Sequence, residues 1–235
     1  MRVYSGHGSA PRRHHSNHRG ISRRTLLSVS AATLLSACQN AFRSPTVAGR
    51  TEVGNQFDPD RAYAATTDNG INLPAVNLSK LQPDMYRRRV KAPIDAPRGT
   101  ILVRLAECHL YMFTGNQEAI RYGVGIGKEG YSWKGGGTIN RIRSWPRWTP
   151  PPEMIRRTPE LADYSEGMDG GISNPLGARA LYIFSGGNDT LYRIHGTPEW
   201  WSIGSAASSG CIRMINQDVI DLASRAVSGA PVLIT

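Results

Sequence analysis

The sequence has little of what staples a fold or holds a metal. Its three cysteines, Cys38, Cys108 and Cys211, are an odd set, which excludes a disulfide framework. Beyond the first 18 residues the only histidines are His109 and His195, too few for a histidine-rich metal centre. Cys108 beside His109 therefore reads as a half-buried thiol and a turn histidine. No metal and no cofactor are expected. The apolar stretch from Thr25 to Ala37 is too short to cross a bilayer as a mature helix. No internal repeat is visible. Neither a Lys-Ser/Thr pair nor a helix pattern follows Gly135-Gly136-Gly137, so these glycines read as a turn and not as a phosphate cradle. No stacking-aromatic or groove-reading motif accompanies the positive charge, which excludes nucleic acid as a partner.

What is present begins with charge. The formal net charge is +10, yet residues 1 to 37 hold six arginines (Arg2, Arg12, Arg13, Arg19, Arg23, Arg24) and no acid. Removing those six leaves 22 basic against 18 acidic residues, a mild attraction to an anionic polymer or membrane surface. The same segment reads as an export signal. Ser22-Arg23-Arg24-Thr25-Leu26-Leu27 resembles a twin-arginine signal, and Leu35-Ser36-Ala37-Cys38 resembles a lipobox that would lipidate Cys38. Gln39 after that cysteine favours an outer membrane. The expectation is an exported, periplasmic, lipid-anchored protein with a signal over 1–37, a partly disordered tether over 38–95 and a catalytic domain over 96–235. Within the tether, Arg87-Arg88-Arg89 reads as a solvated face.

With 40% hydrophobic residues the remainder can bury one core. Strand patterns dominate it. Ile101, Val103 and Leu105 alternate, Leu110 to Phe113 follows, and Thr114-Gly115-Asn116-Gln117 marks a hairpin turn before Ala119 to Ile126. Further strands are expected over Thr138 to Ile142, Ala180 to Phe184, Leu191 to His195 and Val232 to Ile234. A short helix is expected at Glu153 to Arg157. The clearest helix spans about 216–228, capped by Asn216 and stopped by Gly229. The fold class is mainly β, with mixed sheets and a few short helices.

One cysteine stands in a catalytic setting. Cys211 follows Ser208-Ser209-Gly210, a run suited to a tight turn whose N–H groups can approach a developing oxyanion without a Cβ in the way. A thiol attacks a carbonyl only as thiolate, and His195 is the base at hand. Strand alternation puts Arg193 and His195 on one face. A papain-like peptidase is disfavoured because there the nucleophile precedes the histidine, whereas here His195 comes first.

Ile194-His195-Gly196-Thr197 followed by Ser208-Ser209-Gly210-Cys211-Ile212-Arg213-Met214 resembles the signature of L,D-transpeptidase catalytic domains of the YkuD, ErfK/YbiS-like type. Trp145-Pro146-Arg147-Trp148-Thr149-Pro150-Pro151 and Asn174-Pro175-Leu176-Gly177 extend the likeness, which covers roughly residues 80 to 235. The chain departs from many members at Ser209, where they have histidine, and at Trp133 to Gly137. The resemblance implies a β-sandwich and attack by Cys211 on a peptidoglycan tetrapeptide stem with release of D-Ala. It implies His195 as proton donor and acceptor, oriented by the Gly196 carbonyl. The N–H groups of Ser209, Gly210 and Cys211 would hold the oxyanion. Substrate contacts are expected from Arg193, Ser208 and Arg213, with Arg213 either binding a carboxylate or buttressing its loop, and Trp200 and Trp201 are lid candidates. The acyl group would pass to an amine of a second stem, an outer-membrane protein or a lipoprotein. Two other readings are an L,D-carboxypeptidase using the same residues and a non-catalytic lipoprotein that tethers wall to membrane.

Overall fold

The computed structural model describes residues 56–127, 134–205 and 211–235. The export segment, Cys38, the start of the expected tether, Trp133 and the Ser208, Ser209 and Gly210 run lie outside the described residues.

A ribbon of β1 (Thr66–Asp68) and β2 (Ile71–Leu73) precedes the main sheet. The main-sheet strands are β3 (Arg88–Lys91), β4 (Ile101–Arg104), β5 (His109–Gly115), β6 (Glu118–Gly123), β7 (Gly125–Ile126), β8 (Gly135–Ser144), β9 (Arg179–Ser185), β10 (Asn188–Thr197), β11 (Ile212–Ile215) and β12 (Pro231–Ile234). Their order among the described residues is β3-β6-β5-β4-β12-β8-β9-β10-β11-β7. The sheet is mixed, because β4 runs parallel to β12 and β10 parallel to β11.

That order dictates its shape. Laid flat, ten strands would be roughly 43 Å wide at about 4.8 Å per strand. Yet β6, next to one edge, and β7, at the other, are separated in sequence by Val124 alone. The sheet must therefore bend back on itself. The bend encloses a core that includes Ile101, Val103, Tyr122, Ile139, Leu181, Ile194 and Met214, each at most 1% exposed. Val219 and Leu222 of the helix Asn216–Arg225 join the same core. The mainly β class expected from the strand patterns is the class observed.

Several local readings held. Asn116 and Gln117 both take left-handed backbone (φ 52° and 57°) at the tip of the β5–β6 hairpin. A short helix spans Pro152–Arg157.

Others need correction. Gly135-Gly136-Gly137 is not a turn but the start of β8, paired with Val232 to Ile234. Gly137 serves close approach, since a Cβ there would stand 2.6 Å from the Phe184 carbonyl oxygen. The helix that begins at Asn216 ends at Arg225, short of 228, and has no side-chain cap; Ile215 occupies the cap position, and the Asn216 side chain is used elsewhere.

The tether reading fails from residue 56 onward. Tyr63, Val76, Leu81 and Met85 are buried and form a second cluster with Ile203 and Ile215, Leu73 is buried as well, and β3 pairs with β6. Arg87 is no solvated residue either. Its side chain is 7% exposed, with Nε 3.8 Å from Asp218 Oδ1 and Nη1 3.3 Å from Asp221 Oδ2. The arm from 56 to 95 takes its order from tertiary partners, which scattered prolines and asparagines do not advertise.

Candidate active site

Two parallel neighbours build the site. In β10 and β11, Ile194 faces Ile212 and His195 faces Arg213. Adjacent parallel strands require a crossover connection, which returns the chain so that Cys211 stands immediately before Ile212, the β11 residue level with Ile194. Side chains alternate between faces, so Ile194 and Ile212 point into the core, each at most 1% exposed. Arg193, His195, Cys211 and Arg213 point the other way and together line one groove of about 1200 Å³.

His195 is 7% exposed, and its Nδ1 lies 2.6 Å from the Gly196 carbonyl oxygen. A carbonyl only accepts, so Nδ1 carries the hydrogen and Nε2 is left as the basic nitrogen. Burial pushes the imidazole down to about 4. The Gly196 and Pro175 carbonyls oppose that shift, and the positive charges of Arg213 and Arg193 add to it. At neutral pH the ring is therefore uncharged and able to take a proton.

Gly196 is required where it stands. A Cβ there would overlap Asn216 Oδ1 and lie 2.9 Å from Ala178 N. Gly177, with left-handed backbone (φ 59°), meets the same oxygen. Asn216 uses that proximity, accepting from Ala178 N–H at 2.8 Å and donating to the Thr197 carbonyl at 3.2 Å. Asn216 thus braces the strand that bears His195. The sequence reading had placed it only as a helix cap.

Arg213 is 6% exposed; its Nη1 donates to Glu199 Oε2 at 3.0 Å, and Nε and Nη2 are buried without a hydrogen-bond partner among the described residues. A buried cation with two unused donors carries a free-energy cost that an incoming anion would relieve.

Arg193 differs. Its Nη atoms donate to both Asp189 carboxylate oxygens at 2.7 and 2.8 Å and to the Tyr192 carbonyl, and its guanidinium stacks on Tyr182 at 4.4 Å. Arg193 lines the groove as a charge whose donors are already engaged.

The tryptophan expectation is corrected. Neither Trp200 nor Trp201 lines this groove; Trp200 packs with the arm cluster, and Trp201 is 59% exposed, edge-on to Trp200 at 5.7 Å. Pro198 and Glu199 line it from that loop instead.

The opposite wall comes from the aromatic and proline segment, with Trp148, Thr149, Pro151 and Met154. Asn174 anchors this wall: its Nδ2 faces the carbonyls of Pro146, Met168 and Asp169 at 3.0 to 3.1 Å, and its Oδ1 accepts from Leu176 N–H. Among the described residues no group of three or more His, Cys, Asp or Glu side chains is placed to hold a metal. No disulfide joins Cys108 and Cys211. His109 is buried at the start of β5, with Nε2 3.2 Å from the Asp84 carbonyl oxygen. The oxyanion candidates Ser209 and Gly210, and Ser208, fall outside the described residues.

Residues 98–234 match the L,D-transpeptidase catalytic domain of the YkuD type. The chain belongs to that family. It is 34% identical over 134 residues to the probable L,D-transpeptidase ErfK/SrfK of Escherichia coli K12, a match covering 53% of this chain and 40% of that protein. It is 58% identical over 82 residues to the putative L,D-transpeptidase YkuD of Bacillus subtilis 168, covering 35% of this chain and 48% of that protein. The chain thus spans less than half the length of these curated relatives. A solved Brucella melitensis chain, described as a probable carnitine operon oxidoreductase, is 45% identical and covers 64% of this chain and 94% of that one, with a TM-score of 0.47.

Proposed function

We propose that this L,D-transpeptidase family member is an acyltransferase acting on peptidoglycan stems through a thioester on Cys211. The observation that carries the reading is the shared groove wall of Cys211 and a buried, neutral His195 whose Nδ1 hydrogen is given to the Gly196 carbonyl. His195 Nε2 takes the thiol proton. The thiolate attacks the carbonyl carbon of the bond joining the L-centre of diaminopimelate to D-Ala. Collapse of the tetrahedral intermediate breaks the C–N bond, and the imidazolium returns its proton to the departing D-Ala amine.

The thioester keeps the acyl-transfer potential of the cleaved amide. An acceptor amine then attacks it, His195 takes that proton, and Cys211 leaves as thiolate and recovers the proton. No cofactor or ATP enters the balance. The N–H groups of Ser209, Gly210 and Cys211 would hold the oxyanion, each such donor being worth about 3 kcal/mol. Arg213 supports a carboxylate subsite through its two unused donors. The acceptor is a second stem, an outer-membrane protein or a lipoprotein, and the signal with Cys38 favours a lipid-anchored periplasmic location.

Mass spectrometry of the protein and of Cys211→Ala after incubation with disaccharide-tetrapeptide tests this. An adduct on Cys211 with dimers linked 3 to 3 is expected, and Cys211→Ala should give neither. Release of D-Ala with only tripeptide product makes water the acceptor and the protein an L,D-carboxypeptidase. No adduct and no turnover from folded, reduced protein would leave the wall-tethering reading.

A further inference from the structure

The ribbon of β1 and β2 stands apart from the main sheet. Its turn is Asn69-Gly70, both left-handed (φ 50° and 80°), the backbone a two-residue hairpin needs. Such a two-stranded ribbon is marginal by itself. Gln217 tethers its flanks, with Nε2 facing the carbonyls of Pro74 at 3.0 Å and Ala64 at 3.4 Å. The ribbon reaches the body through the buried Leu73 and through the charged side chain of Asp68, immediately before the turn.

Asp68 accepts three hydrogen bonds. Arg179 Nη1 and Nη2 bind its two oxygens at 2.7 Å each, and Trp145 Nε1 donates to Oδ2 at 2.7 Å. The ion pair is largely shielded, with Asp68 16% and Arg179 12% exposed, and the Arg179 fork with the Trp145 donor holds the carboxyl below its usual range.

Both partners lead to the groove. Trp145 has left-handed backbone (φ 44°), a conformation that a bulky residue keeps only when its surroundings over-determine it. Its N–H donates to Ala178, and a Cβ on Gly170 would collide with its carbonyl. From Trp145 the chain runs directly into Arg147, Trp148 and Thr149 of the groove wall. Arg179 follows Ala178, whose N–H is held by Asn216 behind Gly196.

We propose that Asp68 is a positioning residue for the acyl-transfer groove: by joining Trp145 to Arg179 it locks the aromatic wall to the strand region that supports His195. The arm is then part of the site's scaffold. This rests on the proposed acyl transfer only for its kinetic readout.

The test uses the full chain, its Asp68→Ala variant, and Trp145→Phe, which removes the indole donor and keeps the Asp68–Arg179 pair. Four quantities are measured: KM and kcat for D-Ala release from disaccharide-tetrapeptide, the rate of Cys211 alkylation by iodoacetamide located by mass spectrometry, and amide exchange over residues 145 to 157. A KM about tenfold higher in Asp68→Ala is expected, since displacing a positioned wall by about 1 Å can cost up to 100-fold. A smaller rise is expected in Trp145→Phe. In both, kcat and alkylation should stay near wild type while exchange over 145 to 157 quickens.

The proposal is overturned if KM and exchange in both variants stay within about twofold of wild type, or if alkylation falls in parallel with activity, which would mark general damage. Should the wild type itself release no D-Ala, the acyl-transfer reading fails, and exchange over 145 to 157 still decides whether Asp68 holds the wall.

Discussion

Gly196 lies so close against Asn216 that a Cβ on the glycine would overlap Asn216 Oδ1. The same glycine supplies the carbonyl that fixes the His195 tautomer. Packing and the proposed proton transfer therefore meet at one residue. Gly196→Ala should lower stability by about 1–3 kcal/mol through overpacking and reduce kcat, because the carbonyl moves with the strand. Thermal unfolding and D-Ala release measure the two effects. Adding Asn216→Ala should recover part of the stability loss, a coupling that a double-mutant cycle reads; strict additivity would disprove the clash.

His195 sets a pH prediction. Because burial pushes its imidazole down to about 4, the basic form persists well below the ordinary value near 6.5. The acid limb of kcat/KM should therefore fall below about pH 5. Arg213→Gln removes one positive charge beside the ring, so the limb should shift upward. A limb that stays near 6.5 in the wild type would contradict the burial argument.

Arg213 also bears on binding. If its unused Nε and Nη2 receive a stem carboxylate, Arg213→Gln should cost about 1.5–3 kcal/mol, or roughly 10- to 150-fold in KM. Arg213→Lys should recover little, because an ammonium lacks the planar fork. A tetrapeptide whose carboxylates are amidated should lose the same affinity on wild type and gain nothing from the mutation. Unchanged KM in Arg213→Gln would assign it to buttressing alone.

Asp218 gives stability a pH dependence of opposite sign to that of His195. Burial, partly offset by Arg87 and Tyr63, lifts its carboxyl to about 7. Between about pH 4 and 7 the native state holds a proton that the unfolded chain has released, so this group's contribution falls as pH rises. His195 does the reverse between about 4 and 6.5, where the unfolded chain binds the proton. The difference in stability between wild type and Asp218→Asn should therefore drift by up to about 1.4 kcal/mol per pH unit across 4 to 7, in favour of the variant at higher pH. Thermal midpoints at several pH values check it, and a flat difference would refute it.

Much of this protein was legible as a string. Alternation located β4 and β10, and apolar runs beside turn residues located β5, β6 and β9, because a strand is bounded where the chain must turn. The composite run around His195 and Cys211 pointed to a thiol and a base in one groove. One hairpin signal passed unread, Asn69-Gly70, the turn of the ribbon that carries Asp68.

Local sequence determined the strands and singled out the candidate thiol and base, since each is written in a short span of residue types. The tertiary structure alone decided the rest. Arg193 pairs with Asp189, Asn216 braces Gly196 in place of capping a helix, Trp200 and Trp201 turn away from the groove, and three glycines became a strand instead of a turn. The arm joined the core for the same reason: Tyr63 reaches Asp218 and Asp68 reaches Arg179 across 155 and 111 residues. Such contacts depend on which surfaces the bent sheet brings together, and no local period or propensity encodes that.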